Sequence, residues 1–303
     1  MSFITKSTSR RAAGVLLTSL ALFASPSFAQ DAAELGETGT DPRDFAPKFM
    51  PYYRFTELEN GLENYNLNLF GLYAFDKKFA MTYEIPIGYK NDVSGTDLKN
   101  PDGSCGPGAV PPMEGLPPIP IGGEGDCEET GVGDMNLRFM YSTDWDALGG
   151  DWLIGAQIDL PTATDDLLGS EQVKIGPMFA YVKDIPAWPG PGAFFALMNF
   201  YFFDAFGEDS RGDTSLYVGR WFVMLPLSAP DGTFWGGWYT LPEFQPIYDF
   251  EEDHFSFWVG PEFGKMLAPG QIMYAKPGWG ADPDEDEGDR KFTFEIGYRY
   301  FMD

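Results

Sequence analysis

Residues 64–90 read NYNLNLFGLYAFDKKFAMTYEIPIGYK. Tyr65, Leu67, Leu69, Tyr73 and Phe75 fall on one face of an extended chain, while Asn64, Asn66 and Asn68 begin the other. After the short turn Asp76-Lys77-Lys78, Phe79, Met81, Tyr83, Ile85, Ile87 and Tyr89 alternate with Ala80, Thr82, Glu84, Pro86, Gly88 and Lys90. A period of two is that of a strand, because successive side chains point to opposite sides of the backbone. Two such runs joined by three polar residues predict an antiparallel hairpin.

Working outward, the same alternation recurs over residues 52–59, 132–142, 151–161, 173–183, 193–203, 215–227, 238–250, 256–266, 271–279 and 291–302, giving twelve candidate strands with the first hairpin. A bilayer-spanning strand needs about 9–11 residues, and most of these segments fit. A soluble sandwich also alternates, so the two faces must separate the cases. In 151–161, Trp152, Ile154, Ala156, Ile158 and Leu160 oppose Asp151, Gln157 and Asp159. In 291–302, Phe292, Phe294, Ile296, Tyr298 and Tyr300 oppose Lys291, Thr293, Glu295 and Arg299. Apolar outside and polar inside is the membrane-barrel arrangement. Lipid offers no partner to a free strand edge, so the sheet has to close. The expectation is an all-β protein: one transmembrane antiparallel β-barrel of about twelve strands, occupying residues 47–303.

The connections agree. With the N-terminus in the periplasm, the outward connections are 59–63, 91–131, 162–171, 204–213, 251–254 and 280–290, and they hold most of the acidic surplus. Those at the other end, 76–78, 143–150, 184–192, 228–237 and 267–270, are mostly shorter and less acidic. Long outer loops and short periplasmic turns are expected of such barrels. The C-terminal run Glu295-Ile296-Gly297-Tyr298-Arg299-Tyr300-Phe301-Met302 resembles the polar-x-Gly-x-x-aromatic-x-hydrophobic signal by which the barrel-assembly machinery recognises a last strand. Gly297, Tyr300 and Met302 occupy its fixed positions, and Asp303 follows where an aromatic often stands.

Residues 1–29 read as a signal peptide: Lys6, Arg10 and Arg11, then an apolar run over 12–24, then Ser27-Phe28-Ala29 at the cleavage positions. The Arg10-Arg11 pair suggests the twin-arginine route, but Ala12-Ala13-Gly14 lacks that motif's bulky apolar residues, so the general secretory route is favoured. The mature chain is expected to begin at Gln30, with 30–46 as a periplasmic lead-in and the Gram-negative outer membrane as destination. Its apolar run is shorter than the roughly 20 residues of a spanning helix, and no later uncharged run reaches that length. The chain has 20 basic and 46 acidic residues; loss of the three signal-peptide cations leaves 20 − 3 = 17, a formal charge of 17 − 46 = −29. Such a surface repels nucleic acid. Cys105 and Cys127 share one Gly/Pro-rich stretch, which in an exported protein reads as a disulfide, with free thiols as the alternative.

Gly131-Val132-Gly133-Asp134, Leu160-Pro161-Thr162 followed by Leu168-Gly169-Ser170, Ile175-Gly176-Pro177, Gln245-Pro246, and Gly260-Pro261-Glu262-Phe263-Gly264-Lys265 ahead of Tyr274-Ala275-Lys276-Pro277 form a series over roughly residues 60–303. In order and spacing it resembles the exported barrel family named after the MetA pathway of phenol degradation. The resemblance implies an outer-membrane protein that passes small, often aromatic or hydrophobic compounds. The insert 91–131, with its Pro111-Pro112 and Pro117-Pro118 pairs, departs from that pattern.

Twelve strands lie between the eight that fill with side chains and the 16–18 that leave an aqueous channel, so a narrow lumen is expected. Alternation puts Asn64, Asn66, Asn68, Glu84, Asp134, Asn136, Arg138, Gln157, Asp159, Lys174, Arg220, Glu243, Gln245, Glu262, Glu295 and Arg299 on its wall. These form either a polar ladder that selects solutes or pairs that plug the interior. In 194–203 both faces are apolar, and periodicity leaves open whether its rings line the lumen or face lipid. The acidic run 282–289 reads as a solvated loop, bridged to lipopolysaccharide by divalent ions, rather than an ordered Ca²⁺ loop, whose fixed ligand positions it lacks. His254 is the only histidine, and no nucleophile motif stands near it, so no catalytic residue, metal or cofactor is expected. The first functional expectation is a passive conduit for small hydrophobic or aromatic solutes. The alternative is a non-conducting structural barrel whose acidic loops contact lipopolysaccharide or a partner.

Overall fold

The computed structural model describes residues 40–58, 63–90, 129–164, 168–170, 172–188, 192–207, 214–227, 236–251, 253–281 and 290–302. The export segment, Cys105, Cys127, nearly all of 91–131 and the acidic run 282–289 lie outside these residues. The strands are β1 (Lys48–Leu58), β2 (Glu63–Ala74), β3 (Phe79–Lys90), β4 (Glu129–Val132), β5 (Met135–Ser142), β6 (Asp151–Leu160), β7 (Gln172–Asp184), β8 (Phe194–Gly207), β9 (Ser215–Pro226), β10 (Trp238–Asp249), β11 (His254–Ala268), β12 (Gln271–Ala281) and β13 (Arg290–Phe301).

Neighbouring strands pair antiparallel in chain order, and β13 returns to pair with β1, Tyr53 opposite Ile296, so the sheet closes. Closure leaves no row of unsatisfied N–H and C=O groups, which hydrocarbon would penalise heavily. Short β4 and β5 both pair with β3, so they share one position and the barrel has twelve. Between them Ile87 faces Val132 and Glu84 faces Asn136: four residues advance against three, a β-bulge at Gly133 and Asp134. The first strand begins at Lys48, ahead of the expected residue 52, because Lys48 lies inward with its ammonium over the Phe301 ring, 5.9 Å from the centroid.

The barrel has a near end, where β1 starts, and a far end. Outward aromatics gather toward both. Tyr73, Phe75, Phe79 and Phe139 form one contact chain at the near end, and Trp152, Tyr181 and Phe195 another. At the far end Phe55 meets Tyr65 and Phe292, Trp279 meets Phe292, and Phe250 meets Tyr201 and Tyr248. Between the belts the outer face carries exposed aliphatics such as Leu67, Ile154 and Ile296. This distribution matches a bilayer: rings at the two interfaces, aliphatic groups against acyl chains.

Inside, part of the lumen is packed. Leu72, Ala80, Met140, Leu153, Val182, Phe194 and Met224 belong to one buried cluster. The ambiguity over 194–203 is resolved: Phe194, Ala196, Met198, Phe200 and Phe202 point inward and are buried, whereas Leu197, Tyr201 and Phe203 are exposed on the outer face. Asn199, also outward, accepts hydrogen bonds from the Tyr217 hydroxyl (2.7 Å) and Trp221 Nε1 (3.2 Å), which shield its amide.

Candidate functional site

Around the lumen the wall changes character from strand to strand. β10 to β13 and β1 supply charged groups whose positions are fixed by aromatic rings lying against inward glycines. A Cβ at Gly297 would stand 2.5 Å from the Tyr274 ring, one at Gly264 would stand 2.0 Å from Tyr239, and one at Gly278 would stand 1.9 Å from Trp258. Only a residue without a side chain lets these rings lie flat on the wall. Flattened so, Tyr274 donates its hydroxyl to Glu295 and Tyr239 to Glu262, each at 2.7 Å, and Trp258 Nε1 donates to Thr293 at 3.0 Å.

The carboxylates in turn hold cations. Arg299 grips Glu262 with two bonds of 2.9 Å and lies 4.2 Å from the centre of the Tyr274 ring. Arg54 donates to Glu295 at 3.0 Å. Glu243, fully buried, takes both Arg220 (2.8 Å) and Lys276 (2.8 Å), and Lys276 lies over Trp258. Charges removed from water need such multiple partners, because desolvation otherwise outweighs their attraction. Tyr52 donates to Glu84 across three strands. On β5 and β6, Arg138 donates twice to Gln157 Oε1 (2.6 and 3.0 Å), and Gln157 passes the chain on to Asp159 (2.9 Å).

The sector formed by β7, β8 and β9 is different. Met178, Met198, Phe200, Phe202, Val218 and Phe222 face inward there. Arg138 reaches this sector from β5: its guanidinium sits 4.6 Å from the centre of the Phe200 ring, and Arg220 lies 5.5 Å from that of Phe222.

Each end carries an inward-folded segment. At the near end, residues 40–46 enter the barrel, with Phe45 buried in the apolar cluster. Arg43 donates to Asp41, to Asp151 at the start of β6 and to Asp184 at the end of β7, each at 2.7 Å. Burial works against the Arg43 charge, but these carboxylates outweigh it and hold the guanidinium above its ordinary pKa. At the far end, Asp134 at the bulge accepts bonds from Ala163 N (3.1 Å), Ser170 N (2.6 Å) and Ser170 Oγ (2.8 Å). Thr164 N donates to Val132 O at 2.9 Å, and Leu168 is buried. A Cβ at Gly131 would strike Thr164, and one at Gly169 would strike Ala163 and Asp134. The short motifs around 131–134, 160–162 and 168–170 therefore form one interlocked unit.

Next to the near-end segment lies a cavity of about 210 Å³. It runs from Thr40, Asp41, Pro42 and Asp44 past Arg54, Arg138, Met198 and Phe222 to Gln245 and Arg290. A closed barrel with an axial cavity resembles solved outer-membrane channels. One is an outer membrane channel from Pseudomonas putida F1, at 12% identity and a TM-score of 0.58, over 86% of this chain and 99% of that one. A second is the NanC porin, at 9% identity and a TM-score of 0.52, over 85% of this chain and 100% of that one. At such identities the likeness is one of fold. The chain matches no protein-family profile and no curated protein sequence.

Of the wall residues expected from alternation, Glu84, Asn136, Arg138, Gln157, Arg220, Gln245, Glu262, Glu295 and Arg299 line the cavity. Asn64, Asn66, Asn68, Lys174 and Glu243 are buried outside its lining. Asp159 is the register partner of Lys174, and Asp134 serves the far-end segment. Gly297 lies under Tyr274, Tyr300 faces outward, and Met302 N donates to Pro47 O. Sequence reading missed Lys48, Arg54, Lys276 and Arg290, which also line the cavity. Arg54 and Lys276 are in phase with Tyr52 and Tyr274, so the period alone finds them once the face is extended. The near-end segment gave no periodic signal at all, because it is irregular chain.

Proposed function

We propose that this protein is an outer-membrane channel through which small hydrophobic or aromatic solutes pass by passive diffusion, and that it is not an enzyme. The reading is carried by the cavity of about 210 Å³ along the axis of a closed barrel, with charged groups on one side and Met198 and Phe222 on the other. That volume is below the roughly 300–1,000 Å³ of sites for drug-sized ligands, which suits one-ring compounds better than oligosaccharides. The resemblance to the MetA-pathway family points the same way, and the similar solved structures are a channel and a porin. On this reading the signal peptide 1–29 is removed, the near end faces the periplasm and residues 30–46 are the periplasmic lead-in. Gly297, Tyr300 and Met302 then carry the barrel-assembly signal, and the acidic far-end loops meet lipopolysaccharide.

The test is flux and conductance. Purified protein in liposomes is expected to accelerate uptake of small aromatics over protein-free liposomes, and to give discrete current steps in a planar bilayer. A second reading, a non-conducting structural barrel, is favoured by the near-end segment, whose Arg43 ion pairs and buried Phe45 fill that mouth. Absence of steps in the full chain together with their appearance on removing residues 40–46 would establish that reading.

A further inference from the structure

The lumen is basic inside an acidic protein. The whole chain carries a formal charge of −26. Yet the strands bring seven basic residues to the cavity lining, against Glu84, Glu262 and Glu295. The near-end segment adds Asp41 and Asp44, so the lining holds seven basic and five acidic residues, with Glu243 just behind it as a sixth; Asp41 is itself held by Arg43. The placement of this surplus matters as much as its size. Arg138 and Arg220 are set at the edge of the apolar sector, each beside a phenylalanine ring, and Met198 and Phe222 line the same cavity. A low-dielectric wall focuses the field of such cations into the lumen. Rings of Arg and Lys select anions in other pores.

We propose that the channel's preferred solutes are small amphipathic carboxylates, above all one-ring aromatic acids. The carboxylate is held at Arg138 and Arg220, and the ring lies against Met198 and Phe222. This deepens the channel reading and rests on it. A guanidinium suits the task because its planar fork matches a carboxylate's two oxygens while its face stacks on a ring. A neutral aromatic gains only the apolar half of the site, and an aromatic amine meets the cations as a like charge.

The test uses full-length protein in liposomes with benzoate, benzyl alcohol and benzylamine, which share one ring and differ in charge. With the protein-free rate subtracted for each solute, entry is expected to be fastest for benzoate, about ten-fold ahead of benzylamine, and reversal potentials in a salt gradient are expected to show anion preference. R138Q is expected to shrink both effects, and M198Q to lower benzoate flux relative to acetate. Heat-modifiable gel mobility checks that each variant is folded. Equal rates for all three solutes, or benzylamine ahead, would overturn the proposal while leaving the channel reading intact. No flux of any of them over protein-free liposomes would remove both.

Discussion

Glu243 is the residue on which the charged wall turns. It is fully buried and sits between Arg220 and Lys276 at 2.8 Å from each. Converting it to the neutral amide keeps the volume but leaves two cations facing each other. Removing one partner of a buried pair costs about 3–5 kcal/mol. Glu243→Gln is therefore expected to lower the temperature at which the folded form is lost on a gel, and a variant as stable as the parent would contradict this account. Gly278 tests the opposite limit. Trp258 lies flat only because Gly278 has no Cβ. Gly278→Leu forces the indole off the wall, at about 1–3 kcal/mol for overpacking. The expected result is a folded barrel with smaller current steps.

Among the elements, the far-end segment shows how a local irregularity becomes a structural device. The bulge between β4 and β5 turns Asp134 toward the segment after β6, where one carboxylate accepts three bonds. Bonds to a charged acceptor contribute about 1.5–3 kcal/mol each. Asp134→Ala is expected to release Thr162 to Thr164 and Leu168 to Ser170 from the wall, seen as faster protease cleavage in this connection and as larger, noisier currents, with the barrel itself intact. Unchanged cleavage would mean that Thr162 and Thr164, which also bond across to Gly133 and Val132, suffice to hold it.

For the molecule as a whole, the governing condition is a sheet that closes in a solvent unable to hydrogen-bond it. Closure through β13 and β1 and the outward apolar belt are two sides of that condition. Ile296 stands near the middle of β13 on the outer face and is exposed. Ile296→Arg at mid-bilayer depth is expected to cost about 2–4 kcal/mol, read as a loss of folded fraction in lipid vesicles. Inward Thr293→Arg would alter current but not carry that lipid penalty, so the pair separates the two faces.

The period-two pattern by itself determined the strand number, most strand limits, which face meets lipid and hence the inward side of β6 and β13. This worked because every strand is amphipathic with respect to two contrasting surroundings, and a one-residue slip would invert both faces. Where the two surroundings are equally apolar, as over 194–203, the pattern was silent, and only the packing of Phe200 and Phe202 against the lumen settled it. The near-end segment and the anchoring by Asp134 were likewise beyond the sequence, since they join residues far apart in the chain through side-chain bonds and follow no period. The pairing of the wall charges belongs to the same class. Alternation says that Glu243, Arg220 and Lys276 face inward, but the distance between strands around a closed curve decides which of them meet.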